Sequence, residues 1–296
     1  MPVPFLGEGF ALGASVCWAI GPLVAYKGVE ALGTFRFSMY RFFTAALALF
    51  LIAFALGDVH LDNIRAMAYL AASGVIGVAL GEAALFQAVF LLGPRRASLI
   101  FALHAPLTAV LGSMLFREAV MPLTVLGLTL AFAGVYAAVI FRAPTEKAGG
   151  VYHKAETVRL GFVLVVVALA CQVVGALLAK EVVDEVAPFF ASFMRTFAAA
   201  IAFFPVFLVF RGAPRAKANA HLHIVVVSAL VSTIGGMTFL LAALASTEIV
   251  RAVILSSMSP VIYIFLMSVF RGERFPVAAW IGSTMAVVGA AMAVLA

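Results

Sequence analysis

The sequence predicts an all-α integral membrane protein of ten transmembrane helices, arranged as two inverted five-helix repeats. Three observations carry this. Of 296 residues, 65% are hydrophobic and only 11% are charged, which is far from the composition of a soluble domain. Ten apolar stretches of about the ~20 residues needed to cross a bilayer lie between clusters of charge. Rare residues also recur at a constant displacement of 154 positions, the mark of an internal repeat.

In chain order the predicted spans are 5–26, 35–56, 66–92, 97–116, 121–141, 158–179, 189–210, 221–244, 250–270 and 276–295. Asp58, Asp62 and Arg65 mark the polar loop before the third span, and 211–223 forms another. A hydrophilic linker over 142–157 separates a first repeat, 1–141, from a second, 158–296. The first span has no basic segment ahead of it and reads as a retained helix rather than a cleaved signal. Cys17 and Cys171 both fall inside apolar spans, with no CxxC spacing. The net charge of +6 sits at helix ends, where it serves topology and contact with lipid headgroups rather than nucleic acid.

Cys17, Gly21, Phe35, Ser38 and Arg41 recur at Cys171, Gly175, Phe189, Ser192 and Arg195, and Gly81 and Pro106 recur at Gly235 and Pro260, all displaced by 154. After Arg117 and Arg271 an inserted Gly272 shifts the displacement to 155, which matches Glu118, Gly127 and Gly134 to Glu273, Gly282 and Gly289. With five helices per repeat, the second copy enters the bilayer from the opposite side. Inverted repeats of this kind build many secondary transporters, with the substrate site near the midplane between the halves.

Loop charge agrees with inversion. The loop after the second span holds Arg65 alone, while its counterpart holds Arg211, Arg215 and Lys217; the turn with Arg95 and Arg96 answers one with Arg251 alone. Thirteen Lys and Arg residues fall on the side of the 1–2, 3–4, 5–6, 7–8 and 9–10 loops, against four on the other. The positive-inside rule then puts both termini outside the cytoplasm.

Each repeat ends in a Pro-containing helix, an acidic turn (FRE at 116–118, FRGER at 270–274) and a glycine-spaced helix (LGLTLAFAGV at 126–135, IGSTMAVVGA at 281–290). Together with the paired Arg41 and Arg195, this resembles the drug/metabolite transporter superfamily, and within it the branch with two EamA domains. The resemblance covers nearly the whole chain. It implies a carrier of small metabolites in the cell (inner) membrane, often an exporter of amino acids or related compounds. It also implies a central cavity lined by helices 1, 3, 4, 6, 8 and 9, and termini in the cytoplasm, opposite to the charge count.

Glu82 is the one acid well away from a helix end, and an ionised acid at a helix centre costs roughly 2.5–3.5 kcal/mol on insertion scales. It reads either as an amine ligand or proton carrier, or as a paired carboxylate tying helix 3 to a neighbour. His104 lies mid-helix 4 at a depth that suits a hydrogen bond to Glu82; it reads as a proton relay or a packing residue. Trp18 and Gln172 occupy equivalent places in the first helix of each repeat, as cavity lining or as packing and interhelical contact. Ser256, Ser259 and Tyr263 form a polar stripe on helix 9. Arg41 and Arg195 read as structural groups capping neighbouring helices or, less favoured, as substrate contacts. At a displacement of 154, Glu82 aligns with Gly236 and His104 with Met258.

The sequence holds no HExxH, GxGxxG or GxxxxGK[ST] and no cluster of acids for a divalent cation. The expected protein therefore uses no cofactor or metal and is not an enzyme. It takes a small-molecule substrate driven by an ion or substrate gradient, as a monomer or homodimer. An intramembrane enzyme acting on lipid or polyprenyl substrates is the alternative from another class, and a passive channel is the third.

Overall fold

A computed structural model describes residues 5–59, 61–141, 155–210 and 222–295. Among the described residues, ten helices are long and apolar enough to cross a membrane: α1 (Leu6–Leu32), α2 (Thr34–Leu56), α3 (Ile64–Leu92), α4 (Arg96–Leu115), α5 (Pro122–Ile140), α6 (Val158–Lys180), α7 (Pro188–Phe210), α8 (Leu222–Ser246), α9 (Ile249–Phe270) and α10 (Val277–Leu295). No strand occurs among the described residues. The spans match expectation except that α1 continues past Tyr26 to Leu32, because Pro22 sits inside it without ending it. The expected linker at 142–157 lies outside the described residues up to Lys154, and α6 follows it.

Four helices depart from regular α geometry, in two symmetric pairs. Residues Gly74–Leu80 of α3 and Ala229–Gly235 of α8 form π-helical turns, which widen the helix and occur often at functional places. Helix α4 breaks after Phe101 and resumes at His104, and α9 breaks after Ser256 and resumes at Ser259.

These landmarks correct the repeat register. The ends of α2 and α7 match at a displacement of 154, but both π turns, both breaks and the buried Ser73 and Ser228 match at 155. Arg117 (φ 53°) and Gly272 (φ 64°) are the same left-handed turn residue, so Gly272 is not the insertion. By contact, Met237 meets Arg195 where Glu82 meets Arg41, and after the breaks Ser259 stands where His104 does. Each is one position beyond the Gly236 and Met258 of the 154 displacement, which the ends of α3 and α8 at Leu92 and Ser246 still keep.

The two repeats interlock. Helix α1 packs on α8 and α9 of the second repeat, α6 packs on α3 and α4 of the first, and α2 packs on α7. Close approach comes from residues without side chains. A Cβ on Gly74 would lie 2.1 Å from the carbonyl oxygen of Arg195, and one on Gly77 would lie 2.9 Å from Cα of Gly175. At the periphery, α5 and α10 run antiparallel with Gly127 against Gly289 and Gly134 against Gly282. In a bilayer such van der Waals contact replaces the hydrophobic effect as the source of helix association.

Gly134→Leu is expected to separate α5 from α10, because a Cβ there already meets the backbone nitrogen of Ala286 at 2.3 Å. The loss should be about 1–3 kcal/mol or more, seen as a lower melting temperature in detergent. Gly9→Ala, with open space around it, should leave melting unchanged or slightly raised.

Candidate functional site

The polar group at the centre of the first repeat is a three-residue cluster built on α2 and α3. Ser38 and Arg41 lie one turn apart on α2, so both project from the same face. Arg41 Nη2 donates to Oε1 of Glu82 at 2.5 Å, and Ser38 Oγ donates to the same oxygen at 3.0 Å. The Arg41 guanidinium also lies over the Phe42 ring, 5.3 Å from its centroid. Both charged side chains are 18% exposed. Glu82 is thus the paired carboxylate of the two sequence readings, and its partner is Arg41 rather than His104. Arg41 in turn does not cap a helix end; it supplies the counter-charge that lets an acid reside in α3.

His104 stands where α4 resumes after its break. Its Nδ1–H donates to the Phe101 carbonyl at 2.8 Å, one of the oxygens that the break leaves without an in-helix partner. The expected Glu82–His104 hydrogen bond is not formed. On the matching break of α9, Ser256 Oγ donates to the Val253 carbonyl at 3.2 Å and Ser257 Oγ to that of Ile254 at 2.7 Å. Tyr263 lies half-buried farther along α9.

Trp18 packs its indole against Gly236, where a Cβ would lie 2.4 Å from Nε1. Gln172 is half-buried beside Cys171, whose Cβ approaches Gly81; no hydrogen bond ties it to another described residue. Trp18 and Gln172 therefore flank α8 and α3 at corresponding depths. A groove lined by Leu130, Trp280 and Thr284 opens on the outer surface between α5 and α10 and holds none of these residues.

The repeat correspondence carries Ser38, Arg41 and Glu82 onto Ser192, Arg195 and Met237. Arg195 is 2% exposed, and its Nη1 donates to Met237 Sδ at 3.3 Å, a weak acceptor. Sequence reasoning noted that Ser38 and Ser192 recur but assigned them no part. Their spacing from Arg41 and Arg195, three residues in each repeat, was the available signal.

A second set of polar contacts lies at the face where α1 begins. Glu118, aimed by the left-handed Arg117, accepts from the backbone N–H of Ile249 at 2.7 Å and of Val250 at 3.4 Å. It caps the start of α9, where four N–H groups lack helical partners. Arg65 of α3 reaches Glu181 at 2.7 Å and Glu185 at 3.3 Å. Glu8 of α1 accepts from Thr247 Oγ1 at 3.0 Å and faces Arg251 at 3.5 Å. Each of these joins one repeat to the other.

The fold is similar to that of solved structures. Among structures that match, one crystal structure is 17% identical with a TM-score of 0.80, covering 98% of this chain and 97% of that one; at this identity the likeness establishes the fold. No curated protein matches the sequence. The EamA-like transporter family model matches twice, over residues 5–140 and 159–295. The doubled family match, over ten helices long and apolar enough to cross a membrane, makes this a multi-pass membrane transporter of small molecules. The chain belongs to the EamA-like transporter family.

Replacing Glu82 by Gln should leave Arg41 without its counter-charge, and Arg41→Gln should leave Glu82 unpaired. A double-mutant cycle on melting should return a coupling of about 0.5–3 kcal/mol between them. The corresponding cycle for Glu82 and His104 should return none.

Proposed function

We propose that the protein is a secondary transporter that exports small metabolites, such as amino acids or related compounds, across the cell membrane by alternating access. The observation that carries this reading is the placement of inter-repeat polar contacts. Glu118 with the start of α9, Arg65 with Glu181 and Glu185, and Glu8 with Thr247 and Arg251 all gather at one face. They clamp the two repeats together there.

Inversion supplies the other state. In the mirrored arrangement Glu273, the counterpart of Glu118, meets the start of α4 as Glu118 now meets α9. Glu273 bonds no other side chain among the described residues here, so it is available for that exchange. The breaks in α4 and α9 and the π turns of α3 and α8 are the places where the moving helices can flex.

The clamped face carries Arg65, Arg117, Lys180 and Arg251, and by sequence the segments at these ends of the helices hold eight acids, while the segments joining the other ends hold thirteen basic residues. By the positive-inside rule the clamped face is external, and loading then begins from the cytoplasm. The outward direction of transport follows the family resemblance.

Flux from proteoliposomes loaded with a panel of amino acids, amines and sugars tests transport itself; efflux of at least one is expected, and none from the whole panel overturns the reading. In a background free of Cys17 and Cys171, Glu118→Cys with Ile249→Cys should cross-link and stop flux, with recovery on reduction. Undiminished flux through the cross-linked protein is incompatible with alternating access. A phosphatase fused after Ala296 should be active in intact cells and a fluorescent protein at the same place dark; the reverse pattern places the clamped face in the cytoplasm.

A further inference from the structure

The second repeat holds the donors of a carboxylate site without the carboxylate. In the first repeat, Ser38 and Arg41 both donate to one oxygen of Glu82. At the corresponding positions Ser192 is fully buried and Arg195 is 2% exposed, but the acceptor between them is replaced by the thioether of Met237. Ser192 Oγ and Arg195 Nε have no hydrogen-bond partner. Thr196 Oγ1 and Thr238 Oγ1, which follow Arg195 and Met237 in sequence, are also buried and unpartnered, as is Arg41 Nε in the first repeat. Ser192 Oγ and Arg195 Nε are therefore left without acceptors on α7, beside a guanidinium that has no acidic partner among the described residues.

Burying such groups unsatisfied is costly in any protein and more so in hydrocarbon. Nε is unpartnered on both Arg41 and Arg195, but Ser38 meets a carboxylate and Ser192 meets no acceptor, a difference that points to an acceptor arriving from outside the chain. The surroundings suit this. Gly77 of the π turn faces the guanidinium, and a Cβ there would lie 3.6 Å from Nη2. Met237 is unbranched and has three rotatable bonds, so its sulfur can leave the guanidinium with little strain. Its displacement exposes the place that the Glu82 carboxylate fills in the other repeat.

We infer that Ser192 and Arg195, with Met237 as a displaceable plug, form a binding site for the carboxylate of a small-molecule substrate. The inference rests on the transport reading for the word substrate; the binding site itself does not. Glu82 is the internal counterpart of the ligand, and its geometry predicts how the ligand sits: one oxygen shared by a serine hydroxyl and a guanidinium N–H. The shared chemistry also admits an inorganic anion, which the experiment separates.

The test uses the full chain purified in detergent. Melting temperature and calorimetric binding are measured with acetate, pyruvate and L-leucine, with acetamide and L-leucinamide as uncharged-carboxyl controls, and with chloride. At least one carboxylate should raise the melting temperature saturably, with the amides inert and chloride at least tenfold weaker. Arg195→Gln should lower the affinity at least tenfold. Met237→Glu keeps the test decisive if Arg195→Gln fails to fold, because it adds an acceptor rather than removing a donor. It should raise the melting temperature of the unliganded protein and abolish the carboxylate response, whereas Met237→Gln should do neither fully.

Absence of any carboxylate response in the wild-type protein overturns the proposal, as does an unchanged response in Met237→Glu. An equal response to chloride overturns the carboxylate assignment. Carboxylate binding without flux of any panel compound would leave this site standing and remove the transport reading; flux without carboxylate binding would do the reverse.

Discussion

At Gly74 and Gly77 the π turn of α3 approaches α7 and α6 so closely that any side chain would strike backbone, the carbonyl of Arg195 in one case and Gly175 in the other. This contact is the one on which the rest of the structure depends. It joins the first repeat to the second at the depth of the polar clusters, and it presses α7 against α3 so that the Arg195 guanidinium is enclosed. Ser73 reinforces it by donating to the Gly175 carbonyl. The inverted copy uses the same device less tightly, with Ser232 of α8 against Gly21 of α1. A π turn suits the purpose because its wider ring shifts the helical register without breaking the backbone hydrogen bonds that lipid demands.

Much of the architecture was legible in the sequence because membrane helices are recognised by length and apolarity, both of which survive without tertiary knowledge. The paired Ser38–Arg41 and Ser192–Arg195 were visible as repetition. What repetition could not show was the partner. Depth along one helical hairpin matches Glu82 to His104, but depth constrains only the axial coordinate. The rotation of each helix decides which neighbour a side chain meets, and here it turns Glu82 toward α2. The π turns, of equal length in the two repeats, left no sequence signature of their own. Contact rather than displacement gives Glu82 its counterpart, a methionine touching Arg195 in place of a glycine with no side chain.

The two arginine clusters show how an inverted repeat can keep one scaffold and differ in chemistry. Arg41 has a ring beneath it and a carboxylate that a serine hydroxyl also holds; Arg195 has a sulfur atom. His104 and Ser256, by contrast, bond carbonyls of their own helices where those helices break, so their polarity is explained locally. Glu118 solves a related problem at the surface, using a carboxylate on one repeat to complete the helix start of the other.

The crossing of α1 onto α8 and α9, and of α6 onto α3 and α4, also bears on how the protein is made. When the first five helices have entered the bilayer, the faces that will hold α6 and α8 can meet only lipid or one another. The polypeptide must therefore be inserted before it can be assembled, and its final packing waits on synthesis of the second half. A chain divided between α5 and α6 would yield two pieces whose proper partner is each other, so that the covalent link acts mainly by guaranteeing that the right two halves arrive together.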